Sequence, residues 1–155
     1  MQPLIRSLVA AACLSGTHLF AADGAAIQVT DPYVRAVPPG QPNSAAFMTL
    51  SNTGETPRAL VAAESDAAAT VELHTHGMVD GMMRMRRVDR IELPAGEQVA
   101  LQPGGLHVML IGLTQQLEPG MDVALTLVLN DGSRLQLTAP VRRIDVGGMG
   151  GHGGH

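Results

Sequence analysis

Pro103-Gly104-Gly105-Leu106-His107-Val108-Met109-Leu110 opens on a turn and then alternates. The proline presets φ and the two glycines admit positive φ, so the chain is set to reverse there. Beyond the turn, Leu106, Val108 and Leu110 take every second position, with His107 and Met109 between them. A period of two belongs to a strand, whose successive side chains point to opposite faces. The stretch therefore predicts a half-buried strand with one aliphatic face and one His/Met face. Val71-Glu72-Leu73-His74-Thr75-His76 repeats the pattern: Val71 and Leu73 face one way, and Glu72, His74 and His76 the other. Met83 and Met85 likewise share a face.

Working outward, these stretches predict strands at 69–75, 83–88 and 106–111, and similar runs predict others at 27–30, 45–51, 58–64, 98–101, 123–130 and 134–144. Gly, Pro, Asn and Asp clusters separate them, among them Pro38-Pro39-Gly40, Val79-Asp80-Gly81, Pro94-Ala95-Gly96 and Glu118-Pro119-Gly120. Asp131-Gly132 between two strands is a hairpin signal. Val123–Leu129 is apolar almost throughout and reads as a central strand. One helical turn is allowed within 62–70, and no long helix is required. Many short strands at regular spacing predict an all-β fold, an antiparallel sandwich or barrel.

The chain has 155 residues, enough for one domain with a tail. Residues 1–21 read as a signal peptide: Arg6 supplies the positive end, and Leu8-Val9-Ala10-Ala11-Ala12-Cys13-Leu14 begins a short apolar run. Cys13 sits too early, and without the usual leucine before it, for lipid attachment, so a soluble periplasmic protein is expected. Residues 22–146 are expected to form the domain, and 147–155 a flexible Gly/Met/His tail with no residues for a core. Removing the leader leaves eight Met, five His, nine Arg and no Cys.

That composition narrows the function. The formal charge is −4, which does not fit the basic footprint of a nucleic-acid binder. No apolar run is long enough for a membrane span. A mature chain without thiol has no cysteine nucleophile and no blue-copper ligand. What remains is imidazole and thioether, both suited to Cu(I). His74, Met85, His107 and Met109 are the candidate ligands, with ten, 21 and one residues between successive members. His107 and Met109 lie about 7 Å apart along one strand face. Imidazoles alone would serve Zn or Cu(II) equally well; the two thioethers favour Cu(I).

The spacing His74-x10-Met85-x21-His107-x-Met109 resembles the signature of the periplasmic copper chaperone PCuAC family. Val71-Glu72-Leu73-His74, Asp80-Gly81-Met82-Met83-Arg84-Met85 and Pro103–Leu110 resemble the family around the motif. Val34–Gly40 and Ala45–Asn52 resemble its start, and the likeness spans about 27–143. The resemblance implies a cupredoxin-like, antiparallel Greek-key β-sandwich and a Cu(I) site of two His and two Met. It also implies delivery of copper towards the binuclear copper centre of cytochrome c oxidase, with a Sco-type thiol protein or the oxidase copper domain as acceptor. Tyr33 stands where the family often has Trp, a difference expected to affect packing and not the metal.

Around the motif, Met78 and Met82 are expected to pack as hydrophobic residues, with copper hand-over at an exposed rim as the sharper reading. Arg84, Arg86 and Arg87 read as a solvated edge, and Glu72 as an exposed carboxylate, its alternative being a partner that orients His74. In the tail, Met149, His152 and His155 are candidates to capture Cu(II) or Cu(I). The expected role is binding and delivery rather than catalysis, since a copper enzyme needs more His or carboxylate ligands than the domain supplies. Copper sequestration without a dedicated acceptor is the alternative.

Overall fold

The computed structural model describes residues 26–144. The expected leader at 1–21 and the tail residues Met149, His152 and His155 lie outside the described residues. Ten strands account for most of what is described, in the order β1 Ile27–Arg35, β2 Asn43–Asn52, β3 Arg58–Glu64, β4 Ala68–Val79, β5 Met82–Arg87, β6 Ile91–Leu93, β7 Gln98–Leu101, β8 His107–Leu113, β9 Asp122–Leu129 and β10 Arg134–Arg142. The fold is all-β, as the alternation predicts. The helical turn allowed within 62–70 is absent: β3 runs to Glu64 and β4 starts at Ala68 after a short turn.

The hydrogen-bonded path runs β5-β4-β8-β2-β1-β10-β9-β3-β6, with β7 beside it on β2. Every pairing is antiparallel except β1–β10, where Val34 and Arg35 pair in parallel with Val141 and Arg142. That short parallel seam joins two halves of the sheet, a departure from the fully antiparallel expectation. One core lies between the halves: Val34, Leu50, Leu73 and Val108 on one side meet Leu60, Leu93, Leu125 and Leu127 on the other. Each fully buried aliphatic side chain contributes about 1.5–3 kcal/mol. β9 lies between β10 and β3, the interior position its apolar sequence predicts.

β6 has only three residues and no alternating run, so local pattern does not reveal it. Tertiary contacts hold it. Ile91 and Leu93 enter the core, and the buried Asn52 amide donates to the carbonyls of Leu93 and Thr56, both at 2.9 Å. β9 and β10 are joined by residues 130–133; the Leu129 N–H donates to the Ser133 carbonyl and closes a three-residue loop, Asn130-Asp131-Gly132, in which Gly132 takes φ 84° and Asp131 accepts from Ser133. The Asp-Gly hairpin signal is correct, and the loop is one residue longer than the tightest form.

Among the described residues, the core cluster contains no aromatic ring. Alternation along β2 explains this. Ala46, Met48 and Leu50 point into the core, and Phe47 points to the opposite face of the sheet, where it is also buried. That face carries the His and Met positions. One edge of β2 pairs with β1, and the other is shared: β8 takes 43–46 and β7 takes 48–51. The Gln102–Leu106 turn therefore crosses beside Phe47 and delivers His107 next to it.

Candidate metal centre

The centre is built on the β4–β5 hairpin and on β8. Asp80 and Gly81 both take positive φ, 52° and 76°, the conformation of a two-residue type I′ turn. Such a turn fixes the register: Val79 pairs with Met82, His76 with Met85 and His74 with Arg87. On the other edge of β4, His74 pairs with His107 and Glu72 with Met109. His74 and His107 thus face each other directly across two strands. Met85 and Met109 occupy diagonal positions, one on each side of the His pair. Diagonal neighbours are about 7–8 Å apart at the backbone, within reach of a long side chain. Directly opposite Met85 stands His76, which the four-residue motif leaves out.

The tautomer of each imidazole is set by the hydrogen bond of one ring nitrogen. His74 Nε2 lies 2.7 Å from Glu72 Oε2, and a carboxylate oxygen only accepts, so Nε2 carries the proton. His107 Nδ1 lies 3.0 Å from the Gly105 carbonyl and donates to it for the same reason. The lone pairs are then on His74 Nδ1 and His107 Nε2. Both atoms are buried and have no hydrogen-bond partner, as does His76 Nδ1. Buried polar atoms are nearly always paired, so three orphaned imidazole nitrogens on one face are exceptional. The rings are close: centroids lie 5.8 Å apart for His74–His107 and 5.3 Å for His76–His107.

The electrostatics favour unprotonated His107. Burial pushes its pKa below the ordinary 6.5, opposed by the Gly105 hydrogen bond and assisted by repulsion from His76, His74 and Arg35. Glu72 is held below the usual carboxylate value, first by the hydrogen bond with His74 and then by the charges of Arg87 and His74. Arg87 Nη1 lies 3.6 Å from Glu72 Oε1. The reading of Glu72 as simply exposed is corrected here, because it is the residue that orients His74. Arg87, read as part of a solvated edge, is exposed and still engages Glu72.

Exposure grades across the centre. His107 is 2% exposed, and Met109, His74 and His76 are half-buried. Met85 is 44% exposed, and Met78, Met82 and Met83 are 58–65% exposed. The expectation that Met78 and Met82 pack as hydrophobic residues is therefore wrong. The turn projects them beyond the edge of β8, where no strand covers them. Beneath the His pair, Tyr33 stacks on Phe47 at 5.3 Å, and Phe47 on His107 at 6.2 Å. Tyr33 packs as expected, one ring removed from an imidazole of the centre.

Among the described residues, no group of three or more His, Cys, Asp or Glu stands ready to hold a metal ion. The same face also carries the thioethers of Met85 and Met109. His76 was legible in the alternation, on the same face as Glu72 and His74. The Asp80-Gly81 turn would have placed it opposite Met85.

The chain matches the LpqE-like family model ("Putative lipoprotein LpqE-like") over residues 27–141. The Leifsonia xyli subsp. xyli protein named "Putative lipoprotein Lxx21020" is 37% identical over 122 residues, 78% of this chain and 71% of that protein. The solution structure of CuI-DR1885 from Deinococcus radiodurans is 38% identical, with a TM-score of 0.61 over 79% of this chain and 83% of that one. The copper-bound PCuAC domain from PmoF2 is 25% identical, with a TM-score of 0.65 over 77% of this chain and 94% of that domain. The protein belongs to the LpqE-like family, and its fold is that of the PCuAC domains.

Proposed function

We propose that the protein is a periplasmic copper chaperone that binds one Cu(I) through His74, Met85, His107 and Met109. The observation that carries this reading is the facing His74–His107 pair, each with a buried, partnerless nitrogen, flanked diagonally by two thioethers. Imidazole and thioether are soft enough for Cu(I), and all four ligands are neutral. The similar structures named as copper-bound or CuI forms support the choice of ion.

Neutral ligands leave the charge of the ion uncompensated, so a thiolate acceptor binds it more strongly. The exposed Met85 is the ligand an acceptor displaces first, and His107, buried, the last. The acceptor is a Sco-type thiol protein or the copper domain of cytochrome c oxidase. Met149, His152 and His155 collect copper on the tail for the centre. The lipoprotein names of the relatives favour an envelope location and return Cys13 to view as an attachment point; mass spectrometry of the mature protein separates a cleaved from a lipidated N-terminus.

Mixing the Cu(I)-loaded protein with an apo oxidase copper domain or an apo Sco-type protein tests delivery. Metallation faster than from an equal supply of weakly chelated Cu(I) is the expected result. No acceleration with either acceptor refutes delivery and leaves sequestration.

A further inference from the structure

The four-residue motif leaves one imidazole of this face without a role. His76 sits on β4 between two strands, directly opposite Met85 on β5 and with its ring 5.3 Å from that of His107. Its Nδ1 is buried and has no hydrogen-bond partner. Burying such a nitrogen without a partner costs about 1–3 kcal/mol, so its position is an expense to the apo fold. His74 and His107, on the same face, each carry one orphaned nitrogen whose lone pair is exposed by a hydrogen bond at the other end of the ring.

We propose that His76 is a third imidazole ligand, and that His74, His76 and His107 together hold Cu(II) in a second coordination state of the same centre. The inference rests on the reading of His74 and His107 as copper ligands. Rings that bind one ion through nitrogens at about 2 Å have centroids roughly 5 Å apart, close to the spacing around His107. Cu(II) prefers imidazole to thioether, and among divalent first-row ions it forms the most stable complexes with nitrogen donors. His76 and Met85 face each other across the hairpin, so the soft and the borderline ion draw on adjacent positions. The cage is not preformed, and His76 completes it by rotating on a half-buried strand whose outer neighbour, β5, is exposed along its whole length. Glu72 holds His74 in place in either state.

The test uses the full mature chain carrying His152→Ala and His155→Ala, which silences the tail imidazoles. Cu(II) is titrated against glycine, and the bound ion is examined by electron paramagnetic resonance for nitrogen coupling. Cu(I) is titrated in parallel against a chromogenic chelator. In this background His76→Ala and His76→Met are expected to lower Cu(II) affinity at least 10-fold, since loss of even an outer partner of a metal ligand costs about 10–100-fold. The coupling falls from three nitrogens to two, and Cu(I) affinity stays within about threefold of the parent, a shift far smaller than loss of a ligand. An unchanged Cu(II) spectrum and affinity in both variants overturns the proposal, and so does an equal loss of both ions. Failure of the Cu(I) reading itself shows elsewhere, as unchanged Cu(I) affinity in Met85→Ala and Met109→Ala. Circular dichroism of each apo variant checks the fold.

Discussion

Replacing His107 with leucine should make the apo protein more stable while removing the copper binding proposed for it. His107 is 2% exposed, and its Nε2 is buried with no partner. An unpaired buried nitrogen costs about 1–3 kcal/mol, and the hydrogen bond to Gly105 returns about 0.5–1.5 kcal/mol. Leucine is close to histidine in volume, so it removes the orphan without opening a cavity or overfilling the site. Gly105 is only half-buried, so water replaces the lost donor at its carbonyl. The balance is a gain of about 1 kcal/mol, or roughly 3–5 °C in Tm for a domain of this size. Thermal unfolding of metal-free protein at neutral pH, followed by circular dichroism, measures it. Cu(I) affinity should fall beyond the roughly 10–100-fold expected for loss of an outer partner, if His107 is the ligand proposed above. An apo Tm lowered by several degrees would refute the reasoning, because it would mean that the imidazole stabilises the apo fold rather than waiting for an ion.

Other outcomes follow from the same geometry. Met85→Ala and Met109→Ala should each weaken Cu(I) binding in a chelator competition and leave the apo Tm of the Met85 variant within about 1 °C, as exposed positions contribute little. Glu72→Leu should lower Cu(I) affinity about 10-fold by freeing the His74 ring to flip, and Glu72→Gln, which keeps an acceptor, should do less. The pH dependence of apo stability has a definite sign. His107 has its pKa lowered by burial, so the unfolded chain takes the proton first. The His107 contribution is complete above the ordinary value of 6.5 and is lost as pH falls through it towards the lower folded value. Denaturant midpoints for wild type should drop across that window more than those of His107→Leu; parallel curves would contradict the assignment.

Much of the fold was legible locally. Period-two alternation in 71–76 and 106–110 located the strands and separated the aliphatic from the His/Met face, because pleating alone sends alternate residues to opposite sides. Asp131-Gly132 marked a hairpin and Val79-Asp80-Gly81 a turn, through residues tolerant of positive φ. The short β6 escaped because Ile91 and Leu93 are held by Asn52 and the core, contacts distant in sequence. Met78 and Met82 were misjudged because thioethers are more often buried than not, and their neighbourhood is decided by where β8 begins, at His107 opposite His74.

The site divides the same way. Residue types and alternation made His74, Met85, His107 and Met109 candidates and put His76 and Glu72 on the same face as His74, since softness and pleating are local properties. Tertiary structure decided which of them meet. The pairing of β4 with β8 sets His74 against His107, and the I′ turn sets Met85 against His76. It also decided that Glu72 orients His74 and that three imidazole nitrogens are buried without partners. Register between strands distant in the chain and exclusion of water are properties of the packed sheet, and no single segment carries them.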